Sequence, residues 1–263
     1  DNYQVLNIVG CGGMGIVARA FEPSLHRNVA IKVMSDRLAR NERSRKRFLR
    51  EARTAASINH PNVVVIHAVN DRGSVPYLVM EYVEGITLQD RIRDSSPMSI
   101  GDIVRIGSQI AEGLAAAHRC GVIHRDIKPG NVLLENSIER VKLTDFGLAR
   151  VIVENSDITS IDDVVGTPAY MSPEQVEGRE LTPQSDLFSL GCVLYAMVAG
   201  RSPFHGPTSL ICAQRVKELQ PETLKNYSAT VPDAFEQLVF KLLSKSPANR
   251  PATANEVAQT LLD

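Results

Sequence analysis

No run of about 18 apolar residues occurs in the chain, so no segment reads as a membrane-spanning helix. Charge of one sign is lacking as well. The 29 basic residues stand against 30 acidic ones, and this near balance excludes a bulk electrostatic attraction to nucleic acid or to a membrane surface. Cysteine is sparse: Cys11, Cys120, Cys192 and Cys212 lie far apart and in no metal-ligand spacing, which suggests neither a zinc site nor a disulfide framework. A reducing, cytoplasmic setting is expected. Internal repeats and low-complexity tracts are absent, as are an initiator Met and a signal sequence. The opening Asp1-Asn2-Tyr3 is expected to belong to a domain of a longer protein, which leaves room for a membrane anchor elsewhere in it.

With 263 residues, 43% of them hydrophobic, the chain has material for one large domain or for two lobes around a cleft. From Tyr3 to Met34, apolar runs broken at Gly12-Gly13 and Glu22-Pro23-Ser24 predict an antiparallel meander of strands. A helix is expected from Glu42 to Ser57, with Phe48, Ala52, Ala55 and Ala56 on one face. Strand character returns over Val63–Val69 and Tyr77–Glu81, around a turn at Asp71-Arg72-Gly73. Beyond Gly85 the pattern is helical, with stretches at Ile100–Arg119, Gln184–Ala199, Pro207–Val216, Asp233–Leu243 and Thr253–Leu262. The class is therefore α+β: five strands and one main helix first, then a mainly helical part.

Gly10-Cys11-Gly12-Gly13-Met14-Gly15-Ile16-Val17 fits G-x-G-x-x-G-x-V, in which glycines let backbone approach a phosphate closely. Taken alone, this is equally a glycine-rich hairpin turn. A dinucleotide-binding version needs a helix next, whereas a strand follows here. Val29-Ala30-Ile31-Lys32 ends the third strand with a lysine, and Glu51 on the following helix is a candidate partner for it. His124-Arg125-Asp126-Ile127-Lys128-Pro129-Gly130-Asn131 is far more specific, because a merely polar loop explains none of its individual residues. Asp145-Phe146-Gly147 follows, and Ser172-Pro173-Glu174 closes the segment.

Over nearly its whole length the chain resembles the protein kinase family, with Ser172 where the family most often has alanine. The resemblance implies a bilobal protein kinase fold, an ATP-binding lobe over 1–83 and a catalytic lobe over 84–263. Asp126 matches the residue that orients the substrate hydroxyl and accepts its proton, while Lys128 and Lys32 match cations near the transferring phosphate. Asn131 and Asp145 match the metal-binding positions, implying ATP with Mg2+, and Mn2+ as an alternative. Gly10, Cys11, Gly12, Gly13, Gly15, Val17, Ala30, Lys32, Glu51, Leu133 and Asp145 fall in the nucleotide site. Met80 aligns as gatekeeper, with Glu81 and Val83 at the adenine-binding hinge. Lys128 and Thr167 look like the serine/threonine pattern, which implies protein substrates. Glu174 with Arg250, and Asp186 beside the catalytic loop, match framework roles.

Arg125 before Asp126 resembles kinases whose activation segment is ordered by a bound phosphate, and Ser156, Thr159 and Ser160 are candidate acceptors, with autophosphorylation expected at Thr159 or Ser160. Two rival readings are a pseudokinase scaffold, which would lack a key Lys or Asp, and a small-molecule or lipid kinase, which would lack the complete segment ending at Glu174. The basic run Arg37–Arg53 reads first as a solvated helix face, and Cys11 has no basic neighbour in sequence to activate it. Ile58-Asn59-His60-Pro61-Asn62 and Tyr170-Met171-Ser172-Pro173-Glu174 resemble bacterial members of the family. Such relatives commonly carry a membrane sensor and pair through the smaller lobe, so a homodimer through that lobe is expected here.

Overall fold

Strands β1 (Gln4–Gly12), β2 (Gly15–Glu22) and β3 (Arg27–Met34) form the expected meander in the computed structural model, which describes residues 3–13, 15–94, 98–135, 140–146 and 168–263. β4 (Ile66–Asn70) and β5 (Tyr77–Glu81) complete an antiparallel sheet ordered β1-β2-β3-β5-β4. The alternation along β3 turns Val29 and Ile31 to one face, packed with Ala20 and Val79. The opposite face puts Ala30 and Lys32 over the cleft between the lobes.

A short helix α1 (Asp36–Ala39) precedes α2 (Glu42–Ala55), whose first turn is capped where the Asn41 side chain accepts from the Ser44 amide. Ser44, Phe48, Leu49, Ala52 and Ala55 are the buried residues of α2, and Phe48, Leu49 and Ala52 pack on Met34, Leu38, Ala39 and Leu78. Ala56, expected on that face, lies one residue past the helix and is exposed, because the helix ends at Ala55.

Past β6 (Gly85–Thr87) come α3 (Leu88–Asp94) and α4 (Ile100–Arg119), then β7 (Val132–Glu135) and β8 (Val141–Leu143), which pair with β6 in the order β6-β7-β8. Among the described residues the remaining α-helices are α5 (Pro173–Val176), α6 (Pro183–Ala199), α7 (Ser209–Glu218), α8 (Asp233–Leu242) and α9 (Ala254–Leu262). α6 is apolar almost all round and buried on every side, which makes it the axis of the lobe. It stops at Gly200, whose φ of +73° suits a residue without Cβ. Gly191 lets α8 approach, since a Cβ there would sit 2.8 Å from that of Leu242.

One strand departs from its expected limits. The run Val63–Val69 divides: Val63 bridges to Leu143 in parallel, the Val64 amide bonds the Leu143 carbonyl at 2.9 Å, and only from Ile66 does the chain join the upper sheet. The segment before β4 therefore stitches the sheet to the helical lobe.

Candidate active site

The β1–β2 turn brings Gly12 opposite Gly15, and Gly15 must be glycine. Its φ is +141°, and a Cβ there would lie 1.9 Å from the Val33 carbonyl oxygen. Below the sheet, Ala30, Val64 and Met80 form an apolar cluster with Val17, Tyr82, Val83 and Leu133 packed against it. Strands of both lobes and the hinge contribute, and the result is an apolar slot suited to a planar heterocycle. Val17, Ala30, Met80, Val83 and Leu133 were all singled out from the sequence. Val64 was not, since an apolar residue in a strand run carries no mark of the site until the chain folds.

Lys32 is only 4% exposed and its Nζ lies 2.7 Å from Asp145 Oδ1. Burial alone would push the Asp145 carboxyl up, but the charge and hydrogen bond of Lys32 outweigh it and hold the group below the ordinary carboxylate range. Glu51, the expected partner of Lys32, forms no ion pair with it among the described residues. Its Oε1 lies 3.6 Å from Arg125 Nη1 instead, because Asp145 has taken the ammonium.

The catalytic loop is built around buried Asp186 at the start of α6. Asp186 accepts from the backbone amides of His124 and Arg125, both at 2.8 Å, and lies 2.8 Å from His118 Nε2. This holds Arg125 at a φ of +68°, which few non-glycine residues adopt. Asp126 next to it receives Lys128 Nζ on Oδ2 at 2.8 Å, and Asn131 Nδ2 donates to the same oxygen at 2.8 Å and to the Asp126 carbonyl at 2.7 Å. The Thr144 amide bonds the Asn131 carbonyl at 3.1 Å, tying the loop to the segment after β8 that carries Asp145. His124, fully buried, lies 3.0 Å from the Thr144 carbonyl through Nε2 and 4.3 Å from the Phe146 ring between centroids. Burial depresses its pKa against the opposing pull of Asp186, Asp126 and Asp145, so the imidazole is neutral and Nε2 is the donor.

At the hinge, Glu81 is clasped by Lys142 of β8, with Nζ 2.7 Å from Oε1, and by the Val65 amide. The pairing carries no mark in the sequence, since a lysine in a short β run looks solvated. Glu174 and Arg250 form the expected buried pair with side chains 3% and 0% exposed, at 2.7 and 3.0 Å, and Ser185 adds a third bond to the carboxylate. Gln175 Nε2 then reaches the Arg125 carbonyl at 2.7 Å and joins this framework to the loop. Cys11 is exposed. Gly147, Ser156, Thr159, Ser160 and Thr167 lie outside the described residues.

A family model described as the protein kinase domain matches residues 3–262. The serine/threonine-protein kinase PknB of Mycobacterium leprae is 39% identical over 267 residues, covering 100% of this chain and 43% of the relative. PrkC of Bacillus subtilis is 38% identical over 257 residues, 97% of this chain and 39% of the relative. The crystal structure of the Mycobacterium tuberculosis PknI kinase domain matches with a TM-score of 0.78 at 26% identity, over 99% of this chain and 95% of that one. The chain thus spans about two fifths of the length of these curated relatives. A catalytic loop braced by Asp186, an apolar slot shared by both lobes, and a match from end to end agree on one conclusion: the chain belongs to the protein kinase family.

Proposed function

We propose that this domain transfers the γ-phosphoryl group of ATP to serine and threonine hydroxyls of proteins. The observation that carries the reading is the convergence of Lys128 and Asn131 on one oxygen of Asp126, at 2.8 Å each. That leaves the other carboxylate oxygen to orient a hydroxyl and take its proton. As the hydroxyl oxygen bonds to the γ-phosphorus, the bond to the bridging oxygen breaks and ADP departs. Lys128 then holds positive charge beside the transferring group, and Lys32 does so over the phosphates.

Asn131 and Asp145 fit a divalent cation. Asn131 uses its amide nitrogen on Asp126, which leaves its oxygen as a hard donor, and Asp145 keeps one carboxylate oxygen outside the Lys32 bond. Magnesium, or manganese in its place, would neutralise phosphate charge there. Few protein ligands are needed, because the nucleotide phosphates supply the rest.

Lys32 must exchange Asp145 for Glu51 and phosphate before transfer, which makes the present pairing a resting arrangement. Arg125, 3.6 Å from Glu51, would be drawn off by a phosphate on Thr159 or Ser160, and that exchange is how autophosphorylation would act. We further propose that the whole protein is larger, with this domain in the cytoplasm and self-association through the smaller lobe. The exposed Val5, Leu6, Ile8 and Val9 on the edge strand β1 support such a contact.

Incubation with labelled ATP, magnesium and a generic protein substrate tests transfer. Asp126→Asn and Lys32→Met are each expected to lose at least about 100-fold in kcat. Equal incorporation by all three proteins overturns the assignment.

A further inference from the structure

Away from the nucleotide site, a cleft of about 340 Å³ opens between the end of α6, the loop that follows it and the far end of α7. That volume lies within the range of real ligand sites. Its floor is the edge-to-face pair Tyr195 and Tyr227, with ring centroids 5.9 Å apart, and Leu219 adds an exposed apolar wall. Arg201 and Arg215 line it with His205. A Glu222 carboxylate is also present but accepts from the Tyr227 hydroxyl at 3.1 Å. Among the described residues, neither guanidinium forms an ion pair with a carboxylate. Arg215 donates one N–H to the His205 carbonyl, which fixes its direction and leaves the other donors of its fork for a ligand.

The position of the cleft says what kind of ligand reaches it. Ser202 on its rim donates to the Ala169 carbonyl at 2.5 Å, within the turn Pro168–Tyr170. That turn leads into α5, where Gln175 bonds the Arg125 carbonyl of the catalytic loop at 2.7 Å. The cleft is therefore fixed through short, hydrogen-bonded links to the segment beside which a protein substrate must lie.

We propose that this cleft is a docking site for an acidic stretch of the protein substrate, with Asp or Glu carboxylates held by Arg201 and Arg215. The proposal rests on the protein kinase reading above. A carboxylate would meet paired N–H donors of a planar fork, while its methylenes and backbone covered the tyrosine floor and Leu219. Solvated surface arginines would be the ordinary alternative. Two guanidiniums without a carboxylate ion pair among the described residues, Arg201 bonded to the Tyr227 hydroxyl and Arg215 to the His205 carbonyl, line one aromatic-floored cavity joined to the substrate segment, and that argues against it.

Two peptides test this, sharing one phosphoacceptor segment but bearing either a run of Glu or a run of Gln at a distance along the chain. Binding is read by fluorescence anisotropy without ATP, and KM and kcat are read with MgATP. With the wild-type protein the Glu peptide is expected to have Kd and KM about 10-fold lower than the Gln peptide, at equal kcat. The double substitution Arg201→Gln, Arg215→Gln should erase that difference without changing kcat. Arg201→Gln alone, at an exposed side chain whose loss threatens no fold, should remove about half of it on a logarithmic scale. Equal Kd and KM for both peptides with the wild type, or variants that weaken both peptides alike, would overturn the proposal. If the Glu peptide binds preferentially but neither peptide is phosphorylated, the transfer reading fails while the cleft stands; transfer with no preference has the opposite meaning.

Discussion

Asp186→Asn should weaken both the fold and the chemistry, and the size of the effect can be worked from the geometry. The carboxylate accepts two backbone amides, from His124 and Arg125, both at 2.8 Å. Asparagine keeps the shape but has one acceptor oxygen, so in either orientation its NH2 faces one of these amides. A buried donor left unpaired costs about 1–3 kcal/mol. The bonds also hold Arg125 at a φ of +68°, a conformation that costs a non-glycine residue about 1–3 kcal/mol when the surroundings do not enforce it. We expect a loss of about 2 kcal/mol, or roughly 4–8 °C in melting temperature for a chain of this size. Asp126 follows Arg125 directly, and a displacement of about 1 Å at a reacting group costs about 100-fold, so kcat should fall by that factor. Circular dichroism melting and steady-state transfer of labelled phosphate measure the two effects. His118→Gln is the control, because it removes only the side-chain contact to Asp186 at 2.8 Å and leaves both amide bonds. An Asp186→Asn protein melting within about 1 °C of wild type with unchanged kcat would refute the bracing role.

Arg250→Ala leaves the Glu174 carboxylate buried with only Ser185 beside it, and urea unfolding should show a loss of about 3–5 kcal/mol; less than about 1 kcal/mol would mean water reaches the site. Stability should also fall in mild acid. Burial holds the His124 pKa below its ordinary value, so the unfolded chain takes a proton near pH ~6.5 that the folded chain refuses. The contribution is fully present above that pH and is lost below it, at up to about 1.4 kcal/mol per pH unit. Asp145 and Glu174 also have lowered pKa values, each held down against burial by a cationic partner, Lys32 and Arg250 respectively. They add their own loss only at lower pH, through the carboxylate range. Urea midpoints taken from about pH 7 to 5 check the histidine part, and a flat profile there would show that His124 is not neutral in the fold.

What the sequence revealed most completely was chemistry carried by local spacing. Asp126, Lys128 and Asn131 lie within six positions of one another, so a single loop conformation brings them together, and in the structure Lys128 and Asn131 both bond the Asp126 carboxylate. The alternation of Val29, Ala30, Ile31 and Lys32 likewise fixes which residues face the cleft once β3 is recognised as a strand. Val64, Lys142 and the Arg201–Arg215 cleft were not legible in the same way. Each owes its role to residues apart from it in the chain: Leu143, Glu81, and the meeting of the loop after α6 with the far end of α7. Apolar and charged residues in short runs look alike whether they line a site or merely cover a core.

Glu51 shows a different limit. Its position on α2 and that of Lys32 on β3 were read correctly, yet Lys32 lies on Asp145. A lysine with two carboxylates in reach has partner energies separated by small differences in desolvation and distance, and sequence fixes neither. Asp145 wins here because the ammonium can approach it to 2.7 Å while Glu51 stands beside Arg125 at 3.6 Å. Adding nucleotide phosphates and a cation changes both terms at once, since the cation competes for Asp145 and the phosphates for Lys32. The same four charged residues therefore support two pairings, and what the site contains decides between them.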